Sequence, residues 1–352
     1  MSDCHLATVG SDEYYMERAV ELAQGVRTTT SPNPWVGCVI VSDAGAVVGE
    51  GATAPVGGPH AEAAALAAAG EAARGSVAYV TLEPCSHHGR TPPCADALIA
   101  AGVTRVVVAI GDPDAKVAGG GLQALRAAGI EVSTGVLADK VAGQLRPYLV
   151  HRTRRRPYVV LKLAVTLDGR TAAPDGSSKW ITGAEARRDV QKLRAESDAV
   201  LVGAATVRLD DPDLTVRDDR DAPGPRQPLR VVLGHAPKGA RVLPALELEG
   251  DLGCVLDELG RRDVLQLLVE GGADVAAQFH HLGLVDRYVL YVAPAFLGGD
   301  DGRPVFAGRG AATMSGLWRG RLESVRRLGD DLRIDLEPFI DQHQDETGAS
   351  AT

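Results

Sequence analysis

Three candidate metal ligands on separate segments constrain this chain more than any other feature of its sequence. His60 lies in Pro59-His60-Ala61-Glu62, and Cys85 and Cys94 follow further along the chain. One imidazole and two thiols suit zinc, and three protein ligands leave the fourth tetrahedral position to water, which is typical of a catalytic rather than a structural site. The fold is therefore expected to bring these three residues together.

Glu62 indicates which chemistry such a site performs. A His-x-Glu sequence followed by Pro-Cys and a second cysteine is typical of a hydrolytic zinc deaminase. The glutamate is not needed as a ligand, and we expect it to take a proton from water and pass it to the substrate ring and then to the departing ammonia. The alternative is a structural zinc knuckle with His87 or His88 as a fourth ligand, but such a site would not require Glu62. Many deaminases of this type have Pro-Cys-x-x-Cys, whereas eight residues separate the two cysteines here, and this polar insert at 86–93 suggests a loop that contacts substrate.

Length and charge limit the class of protein. A chain of 352 residues predicts two domains. Its net charge of -9 argues against a general nucleic-acid or membrane-surface binder. The sequence contains neither a signal-peptide pattern nor an apolar run long enough to span a membrane, so we expect a cytoplasmic protein. In a reducing compartment, the closely spaced cysteine pair favours metal ligation over a disulfide.

The first half of the chain alternates between strand-like and helix-like segments. We predict strands over 36–41, 77–83, 103–110 and 131–136, and helices over 61–69, 95–101 and 122–128. This alternation predicts an α/β layer fold with a largely parallel sheet, whose ligands collect at the carboxyl ends of the strands. Four arginines crowd the stretch 151–157, which we interpret as a solvated linker between domains; a phosphate-binding patch is the alternative.

The second half repeats the alternation with different motifs. Strands are predicted over 158–167, 199–203, 229–233, 265–269 and 287–292, helices over 184–196 and 274–281, and a hairpin over 325–336. No Gly-x-Gly-x-x-Gly follows a strand, so a Rossmann dinucleotide site is unsupported. The candidate nucleotide site is the strand, glycine turn and helix start at 267–274, although an ordinary strand-to-helix turn would have the same pattern.

Longer motifs carry a specific resemblance. Thr81 to Cys94, together with Ala95-Asp96-Ala97-Leu98-Ile99, closely resembles the deaminase half of the bifunctional riboflavin-biosynthesis deaminase–reductase family. Further matches in the two halves are Asp12-Glu13-Tyr14-Tyr15-Met16, Pro32-Asn33-Pro34-Trp35, Leu167-Asp168-Gly169-Arg170-Thr171, Ser178-Lys179-Trp180-Ile181-Thr182 and Asp210-Asp211-Pro212. The resemblance extends over roughly Asp12 to Pro338. It implies an α/β protein with a cytidine-deaminase-like three-layer domain at 1–150 and a dihydrofolate-reductase-like domain at 157–340. The remaining residues, 341–352, are mostly polar and small, so we expect a disordered tail.

The resemblance also implies roles for individual residues. It implies that His60, Cys85 and Cys94 bind zinc. Glu62 would be the catalytic residue of deamination, and Asn33 would contact the pyrimidine. In the second domain, the resemblance implies NADPH contacts from Ala164, Trp180, Thr206, Asp210 and Gly272, and substrate contacts from Lys162, Ser178, Arg194, Leu214, Arg217 and Glu270. Lys162 or Glu270 could polarise or protonate the open-chain sugar as hydride arrives, and we take Lys162 as the catalytic residue. The arginine forks suit a phosphate bidentately. The chain departs from the family pattern at Asp114-Ala115 and at Gly234-His235, and the latter puts one cofactor contact in doubt.

The activity expected from the resemblance has two steps. The first domain would remove the 2-amino group of 2,5-diamino-6-ribosylamino-4(3H)-pyrimidinone 5′-phosphate as ammonia. The second would reduce the ribosyl group with NADPH, giving 5-amino-6-ribitylamino-uracil 5′-phosphate. The family implies a homo-oligomer formed through the reductase domain, a small-molecule substrate, and neither nucleic-acid nor membrane partners. The alternatives are a zinc deaminase whose second domain binds nucleotide without reducing anything, a deaminase of tRNA or free cytosine, and a zinc-stabilised binding protein.

Overall fold

The computed structural model describes residues 8–86, 92–114, 117–218 and 220–339. The chain divides into two compact units, Met1–Pro157 with Leu259–Leu265, and Tyr158–Glu258 with Gln266–Thr352. The tail at 341–352, His87 and His88 all lie outside the described residues. Within the described ranges, no helix is long and apolar enough to cross a membrane.

The first unit contains a five-stranded sheet and its helices. The helices up to Pro157 are α1 (Asp12–Val26), α2 (Ala61–Ala69), α3 (Cys94–Ala101), α4 (Gly120–Ala127), α5 (Ala138–Gln144) and α6 (Arg146–Arg154), with a 3₁₀ turn at Gly70–Ala73. The strands are β1 (Gly37–Val41), β2 (Val47–Ala52), β3 (Val77–Leu82), β4 (Arg105–Ile110) and β5 (Glu131–Thr134), in the sheet order β2-β1-β3-β4-β5.

The expectation of a largely parallel first sheet is wrong for its β2-β1-β3 half. Strand β1 pairs antiparallel with both β2 and β3, whereas β3, β4 and β5 are parallel. Only the residues 42–46 connect β1 to β2, and a parallel pair needs a crossover of a dozen or more residues. A hairpin is therefore the available connection at that edge.

Glycines show that helices cover both faces of this sheet. A Cβ on Gly37 would lie 1.9 Å from the carbonyl oxygen of Ala19 in α1, and one on Gly51 would lie 2.3 Å from the carbonyl oxygen of Ala61 in α2. Gly51 pairs with Cys38, the neighbour of Gly37, and neighbours in a strand point to opposite faces. Helices α1 and α2 therefore lie on opposite faces, and the three-layer prediction is confirmed.

The interpretation of residues 151–157 as a solvated linker is also wrong. Helix α6 extends to Arg154, and strand β6 begins at Tyr158. His151 is buried, and the guanidinium of Arg152 lies 5.1 Å from the ring centroid of Tyr148. The sequence pattern failed because three of the basic residues occupy the last turn of a helix, where positive charge is favourable, rather than a solvated loop.

The second unit is built on an eight-stranded sheet. The strands after Pro157 are β6 (Tyr158–Thr166), β7 (Arg170–Ala172), β8 (Ala199–Gly203), β9 (Leu229–Leu233), β10 (Leu246–Leu248), β11 (Gln266–Val269), β12 (Arg287–Ala293), β13 (Arg303–Pro304), β14 (Gly320–Leu328) and β15 (Asp331–Pro338). The helices are α7 (Ala184–Ala195), α8 (Ala204–Asp210), α9 (Leu252–Arg261) and α10 (Ala273–His281), with a 3₁₀ turn at Met314–Gly316.

The order of the large sheet is β10-β9-β8-β11-β6-β12-β15-β14. Its strands are parallel from β10 to β12, and the β14–β15 hairpin adds two antiparallel strands at one edge. Strands β8 and β11 are buried along their whole length, which is why they read as continuous apolar runs in the sequence. Loops that follow the parallel strands meet at one edge of the sheet, where ligands of such folds bind.

Candidate functional sites

The three predicted metal ligands meet in the first unit. His60 is the N-cap of α2, Cys85 follows β3, and Cys94 is the first residue of α3. Nδ1 of His60 lies 3.6 Å from Sγ of Cys85 and 3.3 Å from Sγ of Cys94, and all three ligand atoms lie within 4.8 Å of one another. In the described part of the chain, this is the one cluster of His, Cys, Asp and Glu side chains with the geometry of a metal site.

The donor set fits zinc. Zinc–sulfur and zinc–nitrogen bonds of about 2.3 Å and about 2.0 Å at tetrahedral angles put sulfur and nitrogen about 3.5 Å apart, close to the separations seen here. The neighbouring thiol of Cys94 lowers the pKa of Cys85 to about 4, and Cys85 in turn raises the pKa of Cys94. The backbone N–H of Cys94 also donates to Sγ of Cys85 at 3.4 Å, which favours the thiolate that a metal requires.

Glu62 lies beside this cluster in the first turn of α2. Its side chain is 4% exposed, and burial raises the pKa of its carboxyl to about 7, while the nearby His60 opposes the shift. A buried carboxyl that titrates near neutral pH suits a group that accepts and returns a proton.

Close packing of α2 on the sheet positions His60 and Glu62. Helix α2 consists of alanine apart from Glu62 and Leu66, and it lies on Gly49 and Gly51 of β2. A Cβ on either glycine would come within 2.3 Å of a carbonyl oxygen of α2. Small residues on both elements thus allow the helix to approach the sheet closely and fix its first turn.

Asn33, the predicted pyrimidine contact, lies between α1 and β1. Its backbone N–H donates to the carbonyl oxygen of Thr30 at 3.0 Å. It is followed by Pro34 and the buried Trp35, which lead into β1. Its role stays a prediction. The insert at 86–93 is described only at its two ends, so the predicted substrate contacts of this loop lie largely outside the described residues.

All the residues predicted for the second unit line one cavity of about 740 Å³. The group consists of Lys162, Ala164, Ser178, Trp180, Arg194, Thr206, Asp210, Leu214, Arg217, Glu270 and Gly272. They lie on β6, α7 and α8 and on the segments that follow β7, α8 and β11. The fold thus brings together residues that are far apart in sequence. The volume is in the range of small-molecule and cofactor sites.

A buried carboxylate lies between two cations in this cavity. Arg194 donates to both oxygens of Glu270 at 2.6 and 3.1 Å, and Nζ of Lys162 lies 3.7 Å from Oε2 of Glu270. Burial alone would raise the pKa of Glu270, but the charges of Arg194 and Lys162 lower it to about 2. Burial lowers the pKa of Lys162, and the negative charge of Glu270 partly offsets that shift.

The glycine turn after β11 suits a pyrophosphate. Gly272 is the N-cap of α10, and its backbone N–H donates to Oγ1 of Thr206 at 3.2 Å. A Cβ on Gly271 would lie 2.6 Å from Val275, so this position requires glycine because α10 packs against the turn. Backbone N–H groups at a helix N-terminus favour phosphate oxygens, so the residues present fit NADPH.

Polar pairs hold the remaining predicted residues. Ser178 Oγ donates to Asp210 Oδ1 at 3.2 Å, and the guanidinium of Arg187 lies 4.7 Å from the ring centroid of the exposed Trp180. Arg217 donates to Asp213 Oδ2 at 2.7 Å. The predicted set did not include Arg187 or Asp213, although Arg187 belongs to a stretch at 187–191 that also matches the family and Asp213 directly follows the motif at 210–212.

His235, the position of the doubtful cofactor contact, lies between two acidic side chains. Its Nδ1 lies 3.0 Å from Glu247 and its Nε2 3.2 Å from Glu249. The hydrogen bond with Glu247 raises the pKa of His235. This imidazole therefore has carboxylate partners instead of being free for a phosphate.

Comparison with known families agrees with the fold and the two sites. The cytidine and deoxycytidylate deaminase zinc-binding region matches residues 9–110, and the RibD C-terminal domain matches residues 157–334. The class defined by fold and site is a two-domain enzyme, a zinc-dependent deaminase and an NADPH-dependent reductase in one chain.

Full-length relatives specify the family. The riboflavin biosynthesis protein RibD of Escherichia coli K12 is 44% identical over 371 residues, covering 92% of this chain and 99% of that protein. RibD of Mycobacterium tuberculosis H37Rv is 43% identical, with 93% of this chain and 98% of that protein covered. The chain belongs to the RibD family of bifunctional riboflavin-biosynthesis enzymes.

Solved structures agree over nearly the whole chain. Acinetobacter baumannii RibD, form 1, superposes with a TM-score of 0.89 at 42% identity, covering 95% of this chain and all of that one. A Thermotoga maritima diaminohydroxyphosphoribosylaminopyrimidine deaminase/5-amino-6-(5-phosphoribosylamino)uracil reductase gives a TM-score of 0.85 at 35% identity, covering 93% and 98% of the two chains. Both predicted domain folds are confirmed, and the alternative of a second domain without reductase activity is not favoured.

Proposed function

We propose that the chain converts 2,5-diamino-6-ribosylamino-4(3H)-pyrimidinone 5′-phosphate to 5-amino-6-ribitylamino-uracil 5′-phosphate in two steps, deamination before reduction. Residues 1–150 would carry out the first step and residues 157–340 the second. The observation that carries this proposal is that Glu62 lies buried beside His60, Cys85 and Cys94, because this arrangement has the parts that hydrolytic deamination needs.

In the deamination step, His60, Cys85 and Cys94 hold zinc. Zinc in such a site lowers the pKa of a water molecule and makes it a nucleophile at neutral pH. Glu62 takes a proton from the water and delivers it to the pyrimidine ring nitrogen. As the added hydroxyl at C2 becomes a carbonyl and the C2–N bond to the amino group breaks, Glu62 takes the remaining proton of that hydroxyl and passes it to the leaving nitrogen, which departs as ammonia. Asn33 holds the pyrimidine in place.

In the reduction step, the hydride that C1′ of the sugar receives would come from NADPH held in this cavity. The bond between C1′ and the ring oxygen is lost, and that oxygen takes up a proton. Lys162 donates it: its Nζ faces the carboxylate of Glu270, and a buried ammonium can release a proton, whereas the guanidinium of Arg194 stays charged. Glu270 keeps Lys162 charged, and the sugar phosphate is held by Ser178, Arg194, Leu214 and Arg217.

The remaining predicted residues of this cavity would contact the cofactor. We assign the pyrophosphate to the turn at Gly272 with Thr206, and the rest of NADPH to Ala164, Trp180 and Asp210. Thr206 accepts the Gly272 N–H at 3.2 Å, so these two segments lie side by side in the cavity and would both be available to the cofactor.

The family resemblance supports a homo-oligomer formed through residues 157–340.

A reducing compartment such as the cytoplasm fits the zinc site, because both cysteine ligands must stay out of disulfides. Cys38, Cys85, Cys94 and Cys254 are all free cysteines in the structure.

Product analysis by mass spectrometry tests this proposal. Without NADPH, the purified protein should release one ammonia per substrate and stop at the deaminated ribosyl compound. Adding NADPH should then convert that compound to the ribityl product. A protein that consumes NADPH on the diamino substrate before any ammonia appears would contradict the proposed order.

A further inference from the structure

Glu83 is a buried carboxylate that neither proposed reaction uses. It directly follows β3 and precedes Pro84 and Cys85, and its side chain is 5% exposed. Its own backbone N–H donates to the carbonyl oxygen of Ile110 at 3.0 Å, which extends the pairing of β3 with β4 by one residue. The residue before the cysteine segment is therefore fixed to the sheet.

The carboxylate of Glu83 accepts four backbone hydrogen bonds. Oε1 accepts from Gly121 at 3.0 Å and Leu122 at 3.3 Å, and Oε2 accepts from Gly119 at 3.1 Å and Asp112 at 3.3 Å. Three of these donors lie at the N-terminus of α4, which has no capping side chain and no acidic residue in its own first turn. Glu83 thus supplies from β3 the acceptor and the negative charge that the start of α4 lacks.

The turn held by Glu83 packs directly against the zinc-ligand segment. A Cβ on Gly121 would lie 1.9 Å from the carbonyl oxygen of Pro84, and one on Gly120 would lie 2.5 Å from Oγ of Ser86. The start of α4 therefore contacts the residue on each side of Cys85. On its other flank, the carbonyl oxygen of Cys85 accepts the N–H of Ala95 in α3 at 3.2 Å.

We infer that Glu83 is a positioning residue for the deaminase: it anchors the first turn of α4 against Pro84 and Ser86, and so holds the thiolate of Cys85 at bonding distance from the metal shared with His60 and Cys94. This rests on the zinc site of the proposed function. Without the carboxylate, four N–H groups lose their acceptor, the turn moves away, and the backbone of Cys85 is supported by α3 alone.

Zinc affinity, measured by competition with a chromophoric chelator, tests this role without any substrate. Glu83→Gln keeps the size of the side chain but replaces one carboxylate oxygen with an NH2 group, which cannot accept a hydrogen bond. We expect zinc binding to weaken about 10- to 100-fold, as is typical for residues that orient metal ligands. The thiolate-to-metal band of the cobalt-substituted protein should also shift, which a general loss of stability would not cause.

Two further variants separate positioning from stability. Gly121→Ala disturbs the same contact from α4 and should weaken zinc binding while Glu83 is intact, so the inference stays testable if Glu83→Gln does not fold. Val106→Ala opens a cavity in buried β4, and at a matched loss of melting temperature it should leave both zinc affinity and the cobalt spectrum unchanged.

Unchanged zinc affinity and cobalt spectrum in Glu83→Gln, or an equal loss in Val106→Ala, would overturn the inference. NADPH oxidation with the pre-deaminated substrate should be unaffected in all three variants. Failure of the proposed function would appear differently, as a wild-type protein that binds zinc normally but releases no ammonia from the diamino substrate.

Discussion

The guanidinium of Arg194 lies bidentate on the carboxylate of Glu270, with donor–acceptor distances of 2.6 and 3.1 Å. The pair is largely shielded from solvent, with the Arg194 side chain 15% and the Glu270 side chain 9% exposed, and Glu270 also faces Nζ of Lys162. Glu270 thus influences the charge of Lys162, the proposed proton donor, while Arg194 holds the carboxylate of Glu270 in place.

The first prediction concerns the pH dependence of reduction. Burial lowers the pKa of Lys162 below its ordinary 10.5, and Glu270 works against that shift. A proton donor is active below its pKa, so kcat for NADPH oxidation should fall as pH rises through a value below 10.5. Glu270→Gln removes the opposing charge, and the alkaline limb should move to still lower pH.

A pH profile of kcat with the pre-deaminated substrate measures this shift. Glu249→Gln, an exposed change in the same unit, is the control and should leave the limb in place. An alkaline limb that stays put or moves upward in Glu270→Gln would show that Lys162 is not the donor.

The second prediction concerns the stability of the second unit. Arg333 is 5% exposed and pairs with two buried carboxylates, Asp189 at 2.6 Å and Asp335 at 2.8 Å. Arg333→Leu would leave Asp189 without its cation and Asp335 with Arg287 alone, at 2.9 Å, and should lower the free energy of unfolding by about 3–5 kcal/mol. Arg327→Leu, at an exposed pair, should change it by less than about 0.5 kcal/mol. Urea denaturation measures the free energy of unfolding of both variants. Equal losses in Arg333→Leu and Arg327→Leu would contradict a stabilising role of the buried network.

The same network predicts how acid affects the wild-type unit. Burial opposes ionisation of both carboxyls, but their hydrogen-bonding partners keep the pKa values of Asp189 and Asp335 lowered from 3.8. Their contribution to stability is therefore present above the unfolded pKa and is lost as pH falls through the lower folded values. In Arg333→Leu that acid-dependent loss should shrink, and an unchanged slope of unfolding free energy against pH would contradict the assignment.

The third prediction concerns the approach of α2 to the sheet. A Cβ on Gly51 would lie 2.3 Å from the carbonyl oxygen of Ala61, so Gly51→Ala must push away the helix that carries Glu62. We expect a cost of about 1–3 kcal/mol and a larger loss of ammonia release than of NADPH oxidation. Gly25→Ala, with no atom within 4 Å in the same unit, should be neutral or slightly stabilising. Equal loss of both activities in Gly51→Ala would count against this packing role.

Much of the fold could be predicted from the sequence where apolar runs are long. Strands β8 and β9 and helix α2 have the predicted bounds, because buried strands and an alanine-rich helix give unambiguous patterns. Strand β2 was not predicted, since Gly49 and Gly51 weaken its strand pattern; those glycines are needed to admit α2, a requirement that exists only in the tertiary structure.

The candidate sites were predictable where motifs carry chemistry. His60, Cys85 and Cys94 meet as expected, and the residues predicted for the second site line one cavity. The sequence did not reveal that Arg194 lies on Glu270, because residue type alone does not show that an arginine with a predicted substrate contact also pairs with a carboxylate. Glu83 was invisible for a similar reason, since its partners are backbone N–H groups.

The central claim is that two separate sites act on one substrate in sequence. Ammonia release and NADPH absorbance, followed separately in Glu62→Ala and Lys162→Ala, test it most directly. Glu62→Ala should reduce ammonia release by about 10²- to 10⁴-fold while it still oxidises NADPH with the pre-deaminated compound, and Lys162→Ala should do the reverse. Wild-type ammonia release by Glu62→Ala, or loss of both activities in either folded variant, would contradict the account.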